Sequence, residues 1–280
     1  MDVLLVLAGV FLFFASWSDL KSREVPDWLS FSLIILGLGG SLSYALLLGE
    51  WSRFLYSVLG FLAGVVFGLV MFYTGQWGGG DAKLVMGLGA VFGLSWHHFP
   101  LLVVFLMLTM VVGAVYGVLF GFFLAIRNWV VFKKSLKEFV ALPKVMAVRK
   151  LVVMASLFLV VFGLWLPFPF RFLVWTLVIL GLIGYYLVLM MKVLEKTCMV
   201  KQYPVFKLTE GDWIFKEVII RGKRVCGPKD LGITLEQIAT LKKLKAKQVW
   251  VKEGVPFVPS FFIAYILTLW KSEWFLSWFF

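Results

Sequence analysis

The chain has 280 residues, of which 62% are hydrophobic and only 15% are charged, and its formal net charge is +12. Soluble globular domains contain about 50% apolar and about 25% charged residues, so this composition excludes an ordinary soluble protein. The apolar stretches are continuous and do not alternate with a period of two, which predicts an all-α polytopic membrane protein. The excess of Lys and Arg fits cytoplasmic loops under the positive-inside rule, so we expect no nucleic-acid partner.

The apolar segments define the predicted spans, because about 20 apolar residues are needed to cross the roughly 30 Å hydrocarbon core of a membrane. Residues 82–96 would extend only about 22 Å as a helix, and residues 257–270 are also short. Six to eight transmembrane helices are therefore expected. The predicted spans are 2–18, 29–48, 54–75, 82–96, 99–126, 151–166, 171–193 and 257–270.

Charge predicts the side of the membrane on which each polar segment lies. Lys21 and Arg23 follow the first apolar run, and no positive region precedes it. This run is therefore interpreted as a retained span with its N-terminus outside. Eight alternating spans then place three segments rich in Lys and Arg on the cytoplasmic side, namely 18–27, 127–150 and 195–256.

These patterns divide the chain into five parts. In the fourth, "WIFKEVIIRGKRVCG" predicts a strand pair, and Thr234 with Gln237 predicts a capping box at the start of a helix. Cys198 and Cys226 have no metal-like spacing, and a cytosolic disulfide is not expected. The parts are a membrane core at 1–126, a basic cytoplasmic loop at 127–150, an additional transmembrane helix pair at 151–194, a small cytoplasmic α/β domain at 195–256, and a C-terminal transmembrane helix and tail at 257–280.

Two carboxylates at the ends of predicted spans are the strongest candidates for chemistry. Asp19 closes the first span and Asp81 opens the fourth, and the predicted topology places both on the same side. Acids inside membrane spans are costly and are functional candidates for that reason. Two carboxylates in a partly dehydrated cleft would share one proton, so that one accepts a proton from water while the other polarises a peptide carbonyl.

A simpler interpretation exists for each of these residues. Asp81 could be the N-cap of the following helix, a common role for Asp. Asp19 could be one charge in a flanking cluster. Gly78, Gly79 and Gly80 could form an ordinary loop, although glycines also let a backbone approach a bound peptide closely.

Three segments carry a resemblance to a known family. "GGGD" at 78–81 resembles the GxGD motif of intramembrane aspartyl proteases. "SDLKSREVPDWLS" at 18–30 is similar to the partner motif of the prepilin peptidase branch, in which an Asp precedes basic residues and an apolar-Pro-Asp turn. "KEGVPFVPSFFIAYIL" at 252–267 resembles the closing segment of archaeal preflagellin and prepilin peptidases.

The resemblance covers residues 1–126 and 252–270, and in it Asp19 and Asp81 match the two family aspartates. It implies a membrane-embedded aspartic endopeptidase that uses no metal or other cofactor. Such an enzyme removes the short basic leader peptide from preflagellin (archaellin) or type IV pilin-like precursors at the cytoplasmic face of the plasma membrane. Its partners would be these precursors and membrane lipid. Which precursor is cut, and which aspartate is ionised, stay open.

The chain also departs from the family pattern. Bacterial members carry a cysteine-bearing cytoplasmic domain and methylate their product, and nothing here corresponds to that domain, so no methyltransferase activity is expected. Archaeal members are expected to have six spans, so the pair at 151–166 and 171–193 would be an addition. His97 and His98 lie on the opposite side from the acids with no third ligand in view, so no metal site is predicted.

Two further acids are candidate substrate contacts. Glu24 and Asp27 could hold the basic side chains of a leader through short-range ion pairs, together with the backbone at residues 78–80. Alternatively, these acids only neutralise Lys21 and Arg23.

Two other function classes are possible. A proton- or cation-coupled transporter could use paired membrane carboxylates, but it would place them near the bilayer midplane, often within an inverted repeat. A scaffold could bind peptides without cleaving them, although the presence of both acids argues against this.

Overall fold

The computed structural model describes residues 2–95, 100–220 and 222–276. The predicted all-α membrane fold with a small strand-containing region is confirmed. The helices in these residues are α1 (Asp2–Ser22), α2 (Asp27–Leu48), α3 (Trp51–Tyr73), α4 (Gly79–Phe92), α5 (Leu101–Arg127), α6 (Trp129–Val140), α7 (Pro143–Leu164), α8 (Phe168–Cys198), α9 (Leu235–Lys243) and α10 (Val258–Leu276).

Six helices of the described chain are long and apolar enough to cross a membrane, namely α1, α2, α3, α5, α7 and α8. Helix α4 has 14 residues, and the apolar part of α10 covers Val258–Trp270. Both are shorter than a full span, as the sequence predicted. The expected range of six to eight membrane helices therefore agrees with the structure.

Proline and glycine mark several helix ends. Pro26 directly precedes α2, and Pro143 occupies the first turn of α7, where its missing N–H costs no hydrogen bond. Gly49 ends α2 with φ of 76°, a left-handed conformation that glycine adopts without a steric penalty.

The short helix α4 is the most enclosed of the membrane helices. It packs against α2 and α3, and also contacts α1 and α5. Glycines allow the α3–α4 backbones to meet, since a Cβ on Gly60 would lie 2.1 Å from the carbonyl oxygen of Gly89. Because protein surrounds α4 on several sides, its polar N-terminal end need not be exposed to lipid.

The main hydrophobic core lies around α4 and α10. Its fully buried side chains include Leu84, Val85 and Leu88 from α4, which pack with residues of α1, α2, α5 and α10. Helix α7 packs chiefly against α8, which also contacts α5 and α6, and Gly163 is the one buried residue described in α7. Most large side chains of α7 are exposed in the protein, as expected for a helix surrounded by lipid.

The segment predicted as a basic loop at 127–150 is helical. Helix α5 continues to Arg127, α6 follows at Trp129–Val140, and α7 begins at Pro143, eight residues before the predicted span. The difference arises because hydropathy detects where charged residues begin, whereas a helix can continue past the membrane surface with Lys and Arg on its sides.

The chain between α8 and α10 forms a small α/β unit, residues 200–252. Strands β1 (Val200–Pro204), β5 (Gln248–Lys252) and β2 (Trp213–Ile214) form an antiparallel sheet in the order β1-β5-β2. Strands β3 (Val218–Ile220) and β4 (Lys223–Cys226) pair antiparallel, which confirms the predicted strand pair.

The predicted capping box of α9 is also confirmed. The Gln237 N–H donates to Thr234 Oγ1 over 3.3 Å, and the Thr234 N–H donates to Gln237 Oε1 over 2.9 Å. The unit has its own core, in which Cys226, Ile233 and Leu241 are fully buried.

Candidate active site

Asp19 lies in the last turn of α1, with 6% of its surface exposed. Its Oδ2 atom accepts a hydrogen bond from the backbone N–H of Val258 over 2.9 Å. Val258 is the first residue of α10, and an N–H in the first turn of a helix has no partner within that helix. The start of α10 therefore supplies a donor and the positive end of a helix dipole to this carboxylate.

The chain reverses direction directly after Asp19. The Arg23 N–H donates to the Asp19 carbonyl over 2.8 Å, and Arg23 has φ of 60°, a left-handed conformation that ends the helix. The Ser18 hydroxyl donates to the Glu24 carbonyl over 2.9 Å. This turn leads through Pro26 into α2 and keeps the end of α1 next to the start of α2.

Asp81 lies in the first turn of α4, three residues after the N-cap Gly78. Its Oδ2 atom accepts a hydrogen bond from the Gly78 N–H over 3.0 Å. Glycine has no side chain to return this bond, so the arrangement is half of a capping box. Asp81 is therefore not the N-cap itself, although its carboxylate does satisfy a backbone N–H at the helix start.

The two aspartates come together at one end of the helix bundle. Helix α1 packs against α4 and α10, and the carboxyls of Asp19 and Asp81 lie within electrostatic range of each other. The turn after α1 contacts the start of α4, because a Cβ on Gly80 would lie 3.2 Å from the Cβ of Val25. Tyr116 of α5 is also close enough to Asp19 for an electrostatic interaction.

The three glycines do not form an ordinary loop. Gly78 is the N-cap of α4, and Gly79 and Gly80 lie within its first turn. The left-handed position falls earlier, at Gly75, with φ of 69°.

An aromatic cluster holds the segment before the glycines, and sequence reasoning missed it. Trp77 is buried and contacts Phe67 at a ring-centroid distance of 5.5 Å and Phe261 of α10 at 5.0 Å. Its position next to "GGGD" was the available signal, but nearly all of the described Phe and Trp residues are exposed or only partly buried, so a buried one could not be distinguished from sequence.

The candidate substrate contacts Glu24 and Asp27 are exposed and have partners other than those considered from sequence. Glu24 Oε1 accepts a hydrogen bond from the Thr209 hydroxyl over 2.5 Å. Asp27 Oδ1 pairs with Lys83 Nζ over 2.6 Å, which links the start of α2 to the start of α4. Within the described chain, neither acid forms an ion pair with Lys21 or Arg23, so the neutralising alternative is wrong about these partners.

Glu253 is buried and is the centre of a polar cluster that sequence reasoning also missed. Its Oε2 atom pairs with Arg23 Nη1 and with Lys201 Nζ, both over 2.9 Å, and its Oε1 atom accepts a hydrogen bond from the Tyr203 hydroxyl. Burial alone would raise the pKa of Glu253, but the hydrogen bonds and the two positive charges outweigh burial and lower this pKa. The hydrogen bond to Glu253 in turn raises the pKa of Tyr203 to about 12.

The α/β unit at residues 200–252 contacts the segments that carry both aspartates. Thr209 binds Glu24 of the turn after α1, and a Cβ on Gly75, ahead of the glycines, would lie 3.2 Å from the ring of Trp213. The Thr209 N–H also donates to Asp212, and burial followed by the nearby Glu24 charge raises the pKa of Asp212. The unit thus lies against the end of the bundle where the aspartates meet.

Among residues 2–95, 100–220 and 222–276, no three His, Cys, Asp or Glu side chains cluster in a way that could hold a metal ion. His97 and His98 lie outside the described residues. The polar groups described at the two aspartates are backbone N–H donors and charged side chains, which suit acid–base chemistry.

Comparison with known proteins shows a family match over the region that contains both aspartates. Residues 6–118 match the type IV leader peptidase family. The chain is 40% identical over 88 residues to a preflagellin peptidase of Methanocaldococcus jannaschii, covering 31% of this chain and 36% of that protein. It is 33% identical over 86 residues to a preflagellin peptidase of Methanococcus maripaludis, covering 31% and 37%, and 34% identical over 80 residues to one of Methanococcus voltae, covering 29% and 34%.

The matched part of the chain thus spans about a third of the length of each of these curated relatives. Asp19 and Asp81 both fall inside residues 6–118. The resemblance to the type IV leader peptidase family is therefore confirmed over the membrane region that holds both aspartates.

Proposed function

We propose that this protein is a membrane-embedded aspartic endopeptidase that removes the short basic leader peptide from preflagellin or type IV pilin-like precursors. Asp19 and Asp81 are the two catalytic carboxylates. The observation that carries the proposal is their meeting at one end of the bundle, within electrostatic range, inside a region that matches a peptidase family. The preflagellin peptidase names of the relatives favour this substrate class.

The mechanism follows from two carboxyls that share one proton. In this mechanism a water molecule binds between them, and the ionised carboxylate accepts a proton from this water as it attacks the scissile carbonyl carbon. The protonated carboxyl donates a hydrogen bond to the carbonyl oxygen, keeps its proton and stabilises the tetrahedral intermediate. The proton taken from water then passes to the leaving amine, and the peptide bond breaks. The two apparent pKa values of this reaction belong to the pair, not to either aspartate alone.

The backbone donors described above orient the carboxyls for this chemistry. The Val258 N–H binds one oxygen of Asp19, and the Gly78 N–H binds one oxygen of Asp81. Asp81 Oδ1 accepts no hydrogen bond from the described part of the chain, which leaves it able to bind water or substrate. Fixing one oxygen of each carboxyl reduces the reorganisation needed during the reaction.

The active site faces the cytoplasm in this proposal. Lys21 and Arg23 follow Asp19 directly, and Arg127 ends α5 ahead of the lysine-rich α6. The positive-inside rule assigns such segments to the cytoplasmic side. The leader of a precursor would lie there, with its apolar segment in the membrane.

Glu24, Asp27 and the backbone of Gly78, Gly79 and Gly80 are the proposed substrate contacts. Asp27 is 62% exposed in its side chain, so a basic residue of the leader can compete with Lys83 for it. The transporter alternative is less favoured, because the carboxylates lie at helix ends on one side and not near the middle of a span.

Cleavage of a preflagellin in membranes by wild type, Asp19→Asn and Asp81→Asn tests the proposal. Each Asn variant keeps the shape of the side chain but cannot exchange the proton, so each should lose activity by about 10⁴-fold or more. Glu50→Gln is the matched control, because Glu50 is an exposed acid at the other end of α2 and α3 and should leave cleavage unchanged. If both Asn variants retain activity while folded, the aspartates are not catalytic. If wild type cleaves none of a panel of leaders, the transporter and scaffold alternatives gain support.

A further inference from the structure

A polar cavity lies beside the ends of two membrane helices. It has a volume of about 190 Å³ and opens where α5 and α8 end and β1 begins. It is separate from the two aspartates, neither of which lines it. Its principal lining residues are Arg23, Arg127, Lys201, Glu253, Phe120 and Leu124.

The charges in this cavity do not balance. Glu253 is the one carboxylate in the lining, and it already pairs with Arg23 and Lys201. The Arg127 side chain has no hydrogen bond or ion pair with the residues that the structure describes. Three cations and one carboxylate leave a surplus of two positive charges around a space large enough for a small anionic group. Fixed cations around such a space favour an anion.

The depth of the cavity indicates the source of the anion. Helices α5 and α8 are both membrane-spanning candidates, and they end at Arg127 and Cys198, next to the cavity. The cavity therefore lies at the level of the lipid headgroups. Phe120 and Leu124 line it from within the span of α5, so an apolar surface runs from the cavity towards the acyl chains.

The neighbouring helix α6 has the character of an interfacial helix. It begins at Trp129, directly after the lining residue Asn128, and packs against α8 through Phe132, its one buried residue described. Trp129 and Val130 are exposed, and so are the three lysines of the helix, Lys133, Lys134 and Lys137. Exposed Trp and Val beside several lysines are typical of helices that lie on an anionic membrane surface.

We propose that this cavity binds the phosphate of an anionic phospholipid headgroup, with α6 lying on the membrane surface beside it. Arg127 is the residue free to bind the phosphate, and the Arg23–Glu253–Lys201 cluster lines the same cavity. The inference does not depend on peptidase activity.

The test measures thermal unfolding of the full chain in a neutral detergent, with added short-chain phosphatidylglycerol, phosphatidylcholine of the same chain length, or inorganic phosphate. We expect phosphatidylglycerol to raise the Tm by about 4–8 °C at saturation, because a ligand that binds only the folded state stabilises it. Phosphatidylcholine and inorganic phosphate should raise it by less than a quarter of that. Arg127→Gln should lose more than half of the phosphatidylglycerol shift.

Arg149→Gln is the matched control, since Arg149 is an equal charge in the first turns of α7 and does not line the cavity. Loss of the shift in both variants would show diffuse attraction and overturn the proposal. So would an equal shift with phosphatidylcholine, or a full shift with inorganic phosphate alone. Should Arg127→Gln be unstable, native mass spectrometry of wild type decides, because one retained phosphatidylglycerol supports the site and none retained contradicts it.

Discussion

The backbone N–H of Val258 donates a hydrogen bond to Oδ2 of Asp19 over 2.9 Å, and so joins the first residue of α10 to the last turn of α1. The Ser16 hydroxyl strengthens the junction by contacting the Val258 carbonyl over 3.3 Å. Asp19 is thus held by a helix that is far from it in sequence. The C-terminal segment "KEGVPFVP" contributes to the site through its backbone, and its acid Glu253 anchors Arg23 beyond Asp19.

Replacing Val258 by Pro should reduce turnover. Pro fits the first turn of a helix but has no N–H, so the donor to Asp19 is lost. A hydrogen bond to a charged group contributes about 1.5–3 kcal/mol, and each 1.36 kcal/mol is tenfold in rate, so kcat should fall about 10- to 150-fold. Val258→Ala keeps the N–H and is the control for lost packing. The idea is wrong if both variants have the same kcat once their thermal unfolding has been compared.

The contact between α3 and α4 should not tolerate a methyl group. A Cβ on Gly60 would lie 2.1 Å from the Gly89 carbonyl oxygen, which belongs to the backbone and cannot rotate away. Gly60→Ala should therefore lower the free energy of unfolding by about 1–3 kcal/mol or more. A Cβ on Gly39 of α2 would meet nothing within 4 Å, so Gly39→Ala should be neutral or stabilising. Thermal unfolding in detergent measures both, and equal losses would contradict the packing argument.

Two adjacent glycines of the site should differ in their tolerance of alanine. A Cβ on Gly80 would lie 3.2 Å from the Val25 Cβ, whereas one on Gly79 would lie 3.9 Å from the nearest Phe72 ring atom. Gly80→Ala should therefore shift the turn after Asp19 by a few tenths of an ångström. Since a misplacement of about 1 Å can reduce activity about a hundredfold, we expect about a tenfold loss of kcat/KM.

Gly79→Ala is the comparison variant and should lose less activity than Gly80→Ala, because a Cβ on Gly79 would meet no atom of a neighbouring element of the described chain closer than 3.9 Å. Cleavage kinetics on one precursor, at matched levels of folded protein, measure the difference. A larger loss in Gly79→Ala than in Gly80→Ala would refute the contact with Val25 as its cause.

The Glu253 cluster should make stability depend on pH. The pKa of Glu253 in the folded protein lies below its ordinary value of 4.5, so the ionised form is favoured by folding. Its contribution is fully present above about pH 4.5 and is lost as the pH falls through the lowered folded value. Glu253→Gln should be less stable by about 1.5–3 kcal/mol at pH 7, because it loses hydrogen bonds to charged groups.

The difference in unfolding free energy between wild type and Glu253→Gln should shrink as the pH is lowered from 7 to about 3. Glu210→Gln is the matched control, because Glu210 is exposed and has no ion pair among the residues described. The unfolding free energy of Glu210→Gln should equal that of wild type across this pH range. A Glu253→Gln difference that stays constant with pH would mean that the charge of Glu253 contributes nothing.

Local patterns in the sequence predicted much of this structure. The apolar segments and the Thr234 capping box depend on residues close together in the chain, and the alternation of the spans placed the two aspartates on the same side. The partners of single charges were not predictable, because Glu253 meets Arg23 only after α10 folds against α1. Position in sequence carries no signal for such a contact. Lys21 and Arg23 were considered as partners of Asp27 because they are close to it in the sequence.

Variants of the Asp27–Lys83 pair test whether Asp27 is only structural or also binds the substrate. Asp27 is exposed and Lys83 is only partly buried, so breaking the pair with Lys83→Gln or Asp27→Asn should change the free energy of unfolding by no more than about 1 kcal/mol. If Asp27 also binds a basic residue of the leader, Asp27→Asn alone should raise KM, by about 2- to 5-fold, with kcat unchanged. Lys83→Gln frees Asp27 from its competitor and should leave KM equal or lower.

Steady-state kinetics with a leader that keeps its basic residues, and with one in which Gln replaces them, measure the effect. Equal KM changes in both variants, or an effect that persists on the neutral leader, would mean that Asp27 only links α2 with α4 and does not bind the leader.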